Sequence, residues 1–150
     1  MKTLTIKNPW ALLICAGLKN VENRTWSTNF RGRILVHTSA KESGTLPQLL
    51  NPRQLSAIED PFNYRIVKQI PTVNSAIIGE VDIIDCIQNS NSIWAEPGGY
   101  HWVLANPVLY QHPVFGVKGS LGLWNYAPHL YDGRMANSNA TEDKNNTNQL

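Results

Sequence analysis

Short runs of β-branched and aliphatic residues, separated by glycine and proline, recur along most of this chain. The clearest runs are Leu4-Thr5-Ile6, Ile34-Leu35-Val36-His37, Ala76 to Ile87, Tyr100 to Leu104, Val108-Leu109-Tyr110 and Leu121 to Trp124. They are rich in residues that favour strands, and most are shorter than a typical helix. The pattern therefore predicts many short strands that close, or nearly close, into a small barrel.

One helix is predicted directly after the first strand. Its apolar face is formed by residues at helical spacing: Trp10, Leu13, Ile14 and Leu18. Asn8 is expected as the N-cap and Pro9 as the first helical residue, so the helix is predicted from Pro9 to about Leu18. A second helix is predicted near residues 52–58. The fold class is thus α+β: a small barrel of about five to six mixed strands with flanking helices.

Composition sets the domain organisation and excludes few functions. The 150 residues, 42% hydrophobic and 16% charged, are typical of one globular domain, which we assign to residues 1–130. Residues 135–150 are rich in Asn, Ser, Thr and charge and nearly lack large apolar groups, which predicts a disordered tail. The formal net charge of +2 is too small to indicate nucleic-acid binding by itself.

The cysteines, the histidines and the apolar stretches indicate no metal, no cofactor and no membrane partner. Cys15 and Cys86 lie in apolar runs without a Cys or His partner at metal-ligand spacing, so both are interpreted as free thiols. The stretch Leu12–Leu18 is too short to span a bilayer. No secretory signal is evident, and we expect a cytoplasmic protein.

Three charged residues form the strongest candidate site. Lys19 and Glu22 are three apart at the predicted helix end, while Glu22 and Arg24 share one face of an extended segment. Arg offers a planar fork to a phosphate or base edge, and a carboxylate accepts from an exocyclic amine. A lysine beside another cation can act as a base or nucleophile. The alternative is a surface ion-pair network that contributes little energy.

Aromatic side chains could add base stacking, which contributes about 1–3 kcal/mol per base. Trp26 follows the charged face between Thr25 and Ser27 and is the best stacking candidate of five tryptophans. Trp10, in the first helical turn, is second. Trp102 and Trp124 are interpreted as core.

Further polar residues are candidates for the same cleft. His37 ends a strand and is either a structural hydrogen-bonding group or a proton carrier, while Ser39 and Lys41 could contact phosphate. Arg31 and Arg33 flank a turn glycine and form a small basic patch, or only a solvated loop.

Two acidic positions and one aromatic position complete the set. Glu80 lies in a predicted strand, and the alternation of side chains along this strand does not decide whether Glu80 faces the cleft. Glu96 and Tyr100 flank a Pro-Gly-Gly loop that could border a pocket or be only a turn.

The order of these motifs resembles the ASCH family, a branch of the PUA-like barrels. The resemblance rests on Asn8-Pro9-Trp10, the Gly-x-Lys-x-x-Glu-x-Arg segment of residues 17–24, Arg31 to Ser39, Gly79-Glu80-Val81, Tyr100 to Leu104 and Gly119-x-x-Gly122-Leu123-Trp124. It covers roughly residues 3–126. It implies a PUA-like barrel with a cleft beside the first helix, lined by residues 19–24 and by the strand around His37.

The resemblance also implies two classes of function. As a binding module, the protein would hold RNA or a modified nucleobase, with Arg24, Arg31, Arg33 and Lys41 at phosphates. As an enzyme, it would hydrolyse the amide of an N4-acylcytidine nucleoside, or cleave RNA as a ribonuclease. Lys19 matches the lysine of the hydrolase branch, but Glu22 replaces its threonine, and Glu80 or Glu96 would supply its glutamate. Binding is the favoured interpretation.

Overall fold

The structure is a computed structural model that describes residues 1–60, 63, 67–68 and 70–128. In chain order its elements are β1 (Lys2–Ile6), α1 (Trp10–Cys15), β2 (Val21–Arg24), β3 (Gly32–Thr38), α2 (Leu46–Leu49), α3 (Pro52–Ile58), β4 (Ala76–Ile87), β5 (Tyr100–Phe115) and β6 (Leu123–Asn125). The predicted tail at residues 135–150 lies outside the described residues.

The strands form one mixed sheet in the order β2-β5-β4-β3-β1-β6. β1 pairs with β3 in parallel, and the other neighbours are antiparallel. Together with the helix that follows β1, this confirms the predicted α+β class and its PUA-like arrangement.

The sheet is strongly curled, which a contact between distant strands demonstrates. β2 and β1 are four steps apart in the strand order. In a flat sheet four steps would separate them by about 19 Å, well beyond the reach of one side chain. Nevertheless, Arg24 Nη2 on β2 donates to the Thr5 carbonyl on β1 at 2.8 Å. The sheet is therefore a half-barrel, and we call the gap between β1 and β2 the seam.

Apolar residues from several strands and from α1 fill the interior of the half-barrel. The main core cluster includes Leu4, Ile14, Val36, Ile83 and the fully buried Trp102. The predicted core position of Trp102 is thus confirmed. Packing helices and strands around one such cluster is what fixes the curvature.

Gly79 lies where β4, β5 and α1 meet. A Cβ at this position would lie 2.1 Å from the Val108 carbonyl oxygen and 2.8 Å from Cys15 Sγ. The β4–β5 register also shifts between Ile77 and Gly79. A glycine inside a run of β-branched strand residues predicts a bulge or close-approach point, and the structure confirms this at Gly79.

The start and end of α1 differ from the sequence prediction. Asn8 is not the N-cap, because its buried amide nitrogen donates instead to the Val73 carbonyl at 2.8 Å and to Asn74 Oδ1 at 3.0 Å. Pro9 occupies the cap position without a side-chain bond. The helix ends at Cys15, because Gly17 adopts a φ of +82° and turns the chain.

β5 unites two runs that were predicted as separate strands. Asn106 has a positive φ of 53° between them, yet the chain continues to pair with β4 from Ile87↔His101 to Ala76↔Phe115. The register shifts at three points, so that residues 101–115 of β5 pair along residues 76–87 of β4. None of the described helices combines the length and apolar character needed to cross a membrane.

Candidate functional site

Lys19, Glu22 and Arg24 converge at the seam, and we call them the triad. Glu22 bridges the two cations: Lys19 Nζ lies 3.4 Å from Oε1, while Arg24 Nε and Nη2 lie 3.0 and 2.9 Å from Oε2. Lys19 Nζ also donates to the Val21 carbonyl. These contacts hold the three charged groups together, as the sequence spacing predicted.

Two members of the triad are buried, so it differs from an ordinary surface ion-pair network. Lys19 is 5% exposed and Glu22 is 7% exposed. Burial lowers the pKa of the Lys19 ammonium, and Glu22 opposes that shift by stabilising the charged form. Lys19 Nζ also lies 5.7 Å from the centre of the Trp10 ring, a cation–π distance.

A cleft of about 340 Å³ opens beside the triad, and we call it the charged cleft. That volume is at the lower end of the range for small-molecule sites. Its walls come from five parts of the chain: the end of β1, the start of α1, residues 19–24 with β2, the β4–β5 loop, and residues 42–75 between β3 and β4, which we call the insertion. The lining residues are Ile6, Lys7, Trp10, Lys19, Glu22, Asn23, Arg24, Ser43, Leu49, Gln54, Trp94 and Glu96.

Some polar groups of the cleft already form hydrogen bonds within the protein, and others have no partner. Asn23 is occupied, because its amide donates to the Trp94 carbonyl and accepts from the Glu96 backbone N–H, both at 2.9 Å. Gln54 is occupied by the cap of α3 and by the Ile93 carbonyl. Among the described residues, the Lys7 ammonium, the Ser43 hydroxyl and the Glu96 carboxylate have no hydrogen-bond or ion-pair partner. They remain available to a ligand.

The charge of the cleft is mixed, with a small positive excess. Lys7, Lys19 and Arg24 oppose Glu22 and Glu96, which leaves a formal charge of +1 among its lining residues. Such a site suits a ligand that carries both a hydrogen-bond donor and a negative group.

Two of the predicted aromatic residues lie outside the lining of the charged cleft. Trp26 is 36% exposed, but its ring packs edge-on against Trp102 at 4.6 Å. Tyr100 pairs with Arg24 in the β2–β5 ladder and packs on the main core. Trp10, the second stacking candidate, does line the cleft.

His37 and Ser39 line a different pocket of about 390 Å³, which we call the loop pocket. His37 Nε2 lies 2.6 Å from the Val117 carbonyl, which only accepts, so Nε2 carries the proton. Nδ1 therefore accepts from the Thr5 hydroxyl at 3.0 Å. Both ring nitrogens are occupied, and burial lowers the pKa of His37.

The remaining basic candidates also lie away from the charged cleft. Arg33 forms ion pairs with Asp82 at 3.0 Å and with Glu80 at 3.4 Å. Glu80 also accepts a hydrogen bond from the Tyr110 hydroxyl at 2.5 Å. Arg31 is 3.6 Å from Asp85 at the surface. Lys41 is exposed and lines none of the described pockets. Of the two alternative glutamates, Glu96 lines the cleft and Glu80 does not.

Several cleft residues were not anticipated from the sequence. Trp94 and Asn23 are 71 positions apart in the chain, and the hydrogen bond between them forms only when the chain folds. Ser43 and Gln54 come from the insertion between β3 and β4. Their residue types are ordinary, and only the Asn51–Gln54 capping box gave a local signal. In the described part of the chain, no group of three or more His, Cys, Asp or Glu could hold a metal.

Comparison with known proteins agrees with this architecture. Residues 4–112 match the ASCH domain. Activating signal cointegrator 1 from Homo sapiens is 26% identical over 143 residues, covering 87% of this chain and 23% of that protein. The same protein from Mus musculus is 25% identical over 143 residues. The chain thus spans about a quarter of the length of these curated relatives. Because the ASCH match covers most of its 150 residues, the chain belongs to the ASCH domain family.

Proposed function

We propose that the charged cleft binds single-stranded RNA by taking up one unstacked base. The observation that carries this proposal is the convergence of a largely buried cation–carboxylate–cation triad on a concave site with an aromatic wall. RNA binding is also what membership of the ASCH family generally implies.

The available groups suit a base and its adjoining phosphate. The Glu96 carboxylate would accept from an exocyclic amine, such as that of cytosine. The Lys7 ammonium would pair with a phosphate, and the Trp10 ring would offer apolar contact to the base. The triad itself is largely satisfied internally, so its part is to hold the cleft in shape and to supply positive potential.

Fluorescence anisotropy with a labelled single-stranded RNA tests the proposal. Lys7→Ala is expected to weaken binding and to reduce the slope of log K against log salt by about 0.7 for each phosphate that the variant no longer neutralises. Arg31→Ala is the matched control, because it removes one surface cation that does not line the cleft.

Equal losses of affinity for the two variants would mean that the effect is one of overall charge, and would contradict the proposed site. No binding at low salt would contradict the function itself. An N4-acetylated cytidine placed within the RNA tests whether a modified base is preferred.

One observation favours a second function, hydrolysis of an N4-acylcytidine amide. Lys19 has a lowered pKa, and the Glu96 carboxylate, which is available to a ligand, lines the same cleft. In this role Lys19 would polarise the amide carbonyl and Glu96 would activate water. Glu22 already accepts from both cations, which makes it a poor base.

Incubation with N4-acetylcytidine, followed by chromatography for cytidine, tests this second function. Glu96→Gln should abolish product formation while leaving the triad intact. Product formation at the wild-type rate by Glu96→Gln would exclude the proposed base, and no product from the wild type would exclude the reaction.

A further inference from the structure

The loop pocket lies beyond the charged cleft, and the two share no lining residue. It is formed where residues 117–121, which connect β5 to β6, fold over the ends of β1 and β3. Its lining residues are Thr5, His37, Ser39, Ala40, Ser75, Val117, Lys118, Gly119, Ser120 and Leu121. Residues 117–121 also lie outside the segment that matches the ASCH domain.

The loop pocket contains several donors that no described residue uses. Ser39, Ser75 and Ser120 contribute hydroxyls that bond to no described residue, and the same holds for the Lys118 ammonium. The backbone N–H groups of residues 118–121 likewise have no acceptor within the described part of the chain. None of the described residues that line the pocket carries a carboxylate.

A chain of hydrogen bonds beneath residues 117–121 holds this loop in place, so its donors are positioned before a ligand binds. The Trp124 indole donates to Thr5 Oγ1 at 3.1 Å, Thr5 donates to His37 Nδ1, and His37 Nε2 donates to the Val117 carbonyl. Gly119 packs directly on this chain, since a Cβ there would lie 2.7 Å from His37 Cε1 and from Thr5 Oγ1. Preorganised donors bind an anion at a lower ordering cost.

We propose that the loop pocket is a phosphate-binding site. A run of backbone N–H groups without an acceptor, with a lysine and hydroxyls around it, supplies the kind of donors that bind a phosphate. The donors outnumber what the two oxygens of a carboxylate need, and they fit the three or four oxygens of a phosphate. Lys118 supplies the only full charge among the described lining residues, because His37 is held neutral.

Titration of the ¹⁵N-labelled protein with inorganic phosphate, at constant ionic strength, tests the proposal. The amide signals of residues 118–121 are expected to shift, with saturation. Lys118→Ala should weaken phosphate binding about tenfold, which is the usual effect of removing a hydrogen bond to a charged group. Ser39→Ala and Ser75→Ala should weaken it less.

Lys2→Ala is the matched control, because it removes a cation that lines none of the described pockets and should leave phosphate affinity unchanged. An equal shift with chloride or acetate would overturn the proposal, as would unchanged affinity in Lys118→Ala. Since Lys118 is exposed, its replacement should not affect folding. The serine variants give an independent check.

The source of the phosphate is distinguished by RNA oligonucleotides with and without a 5′-phosphate. A loop shift with both indicates a backbone phosphate, and a shift only with the phosphorylated oligonucleotide indicates a terminal one. A shift with inorganic phosphate but with neither oligonucleotide indicates a small phosphorylated compound. Failure of RNA to bind at the charged cleft would leave the inorganic phosphate result unaffected.

Discussion

The carboxylate of Glu22 pairs with both cations of the triad at the seam. It is 7% exposed and accepts from Lys19 on one oxygen and from Arg24 on the other. Removing one member of a buried ion pair is costly, because the remaining charges lose both water and their partner. At the scale of residues, Glu22 therefore matters first for stability and through it for the shape of the charged cleft.

Glu22→Gln should reduce the free energy of unfolding by about 3 kcal/mol, at the lower end for a buried pair because Arg24 is partly exposed. Urea denaturation measures the change. Asp85→Asn is the control, since it breaks the exposed pair with Arg31 and should cost less than about 1 kcal/mol. Similar losses of stability for both variants would contradict the structural role of the triad.

His37 gives a prediction about pH. Burial lowers its pKa below the ordinary 6.5, although the bond to Val117 acts in the other direction. Between the folded-state pKa and 6.5 the unfolded chain therefore binds more protons, and stability should fall as the pH decreases through that window. Proton titration by NMR should show His37 less than half protonated at pH 6.5. Half-protonation of His37 at or above pH 6.5 would contradict the prediction.

At the scale of elements, the close contact of α1 with the long hairpin of β4 and β5 depends on one residue without a side chain. Gly79 lets the Val108 carbonyl and the Cys15 thiol approach the β4 backbone. This contact sets how deeply α1 sits in the half-barrel, and thus where the Trp10 ring and the triad meet. Burial raises the pKa of the Cys15 thiol to about 12, so this thiol is inert at neutral pH.

Gly79→Ala should destabilise the protein by about 3 kcal/mol, since the new Cβ would overlap a backbone oxygen that cannot rotate away. Thermal and urea unfolding measure the loss of stability. Adding Cys15→Ala should not rescue the variant, because the Val108 carbonyl stays in place. Rescue by that second substitution would show that the thiol, not the carbonyl, limits the approach.

At the scale of the whole molecule, the curled sheet has an open side, and Arg24 on the edge strand β2 reaches across it to β1. The guanidinium on β2 contacts Glu22 on its own strand and the Thr5 carbonyl on β1. The charged cleft lies directly at this seam. The insertion adds a second apolar cluster that includes Leu13, Leu50, Ile58 and Trp94, which places Gln54 and Ser43 over the cleft.

Arg24→Gln should open the seam while the centre of the sheet stays closed. Hydrogen exchange is expected to accelerate in β2 and at the end of β1, and to change little in β3 and β4. Arg33→Gln is the control, because its acidic partners Glu80 and Asp82 lie on the adjacent strand β4 and do not cross the seam. Uniform acceleration in the Arg24 variant would indicate global destabilisation instead.

Local patterns were enough to predict the strands, α1, the close approach at Gly79 and the grouping of Lys19, Glu22 and Arg24. Each of these depends on residues near one another in the chain. The cap of α1 was misassigned because Asn8 forms contacts with Val73 and Asn74, some 65 positions away. A capping preference of about 1 kcal/mol is easily outweighed by such burial. The single long β5 was missed because its continuity depends on pairing with β4.

The sequence by itself determined the α+β class and the charged segment, because periodicity and spacing act over a few residues. Its motifs also carried the resemblance to the ASCH family. Only the tertiary structure decided which groups share a cavity. It placed His37 and Ser39 in the loop pocket, Glu96 and Trp94 in the charged cleft, and Arg33 in a ladder with Glu80 and Asp82. The reason is that the curl of a six-stranded sheet brings distant strands together, and no local pattern encodes that curvature.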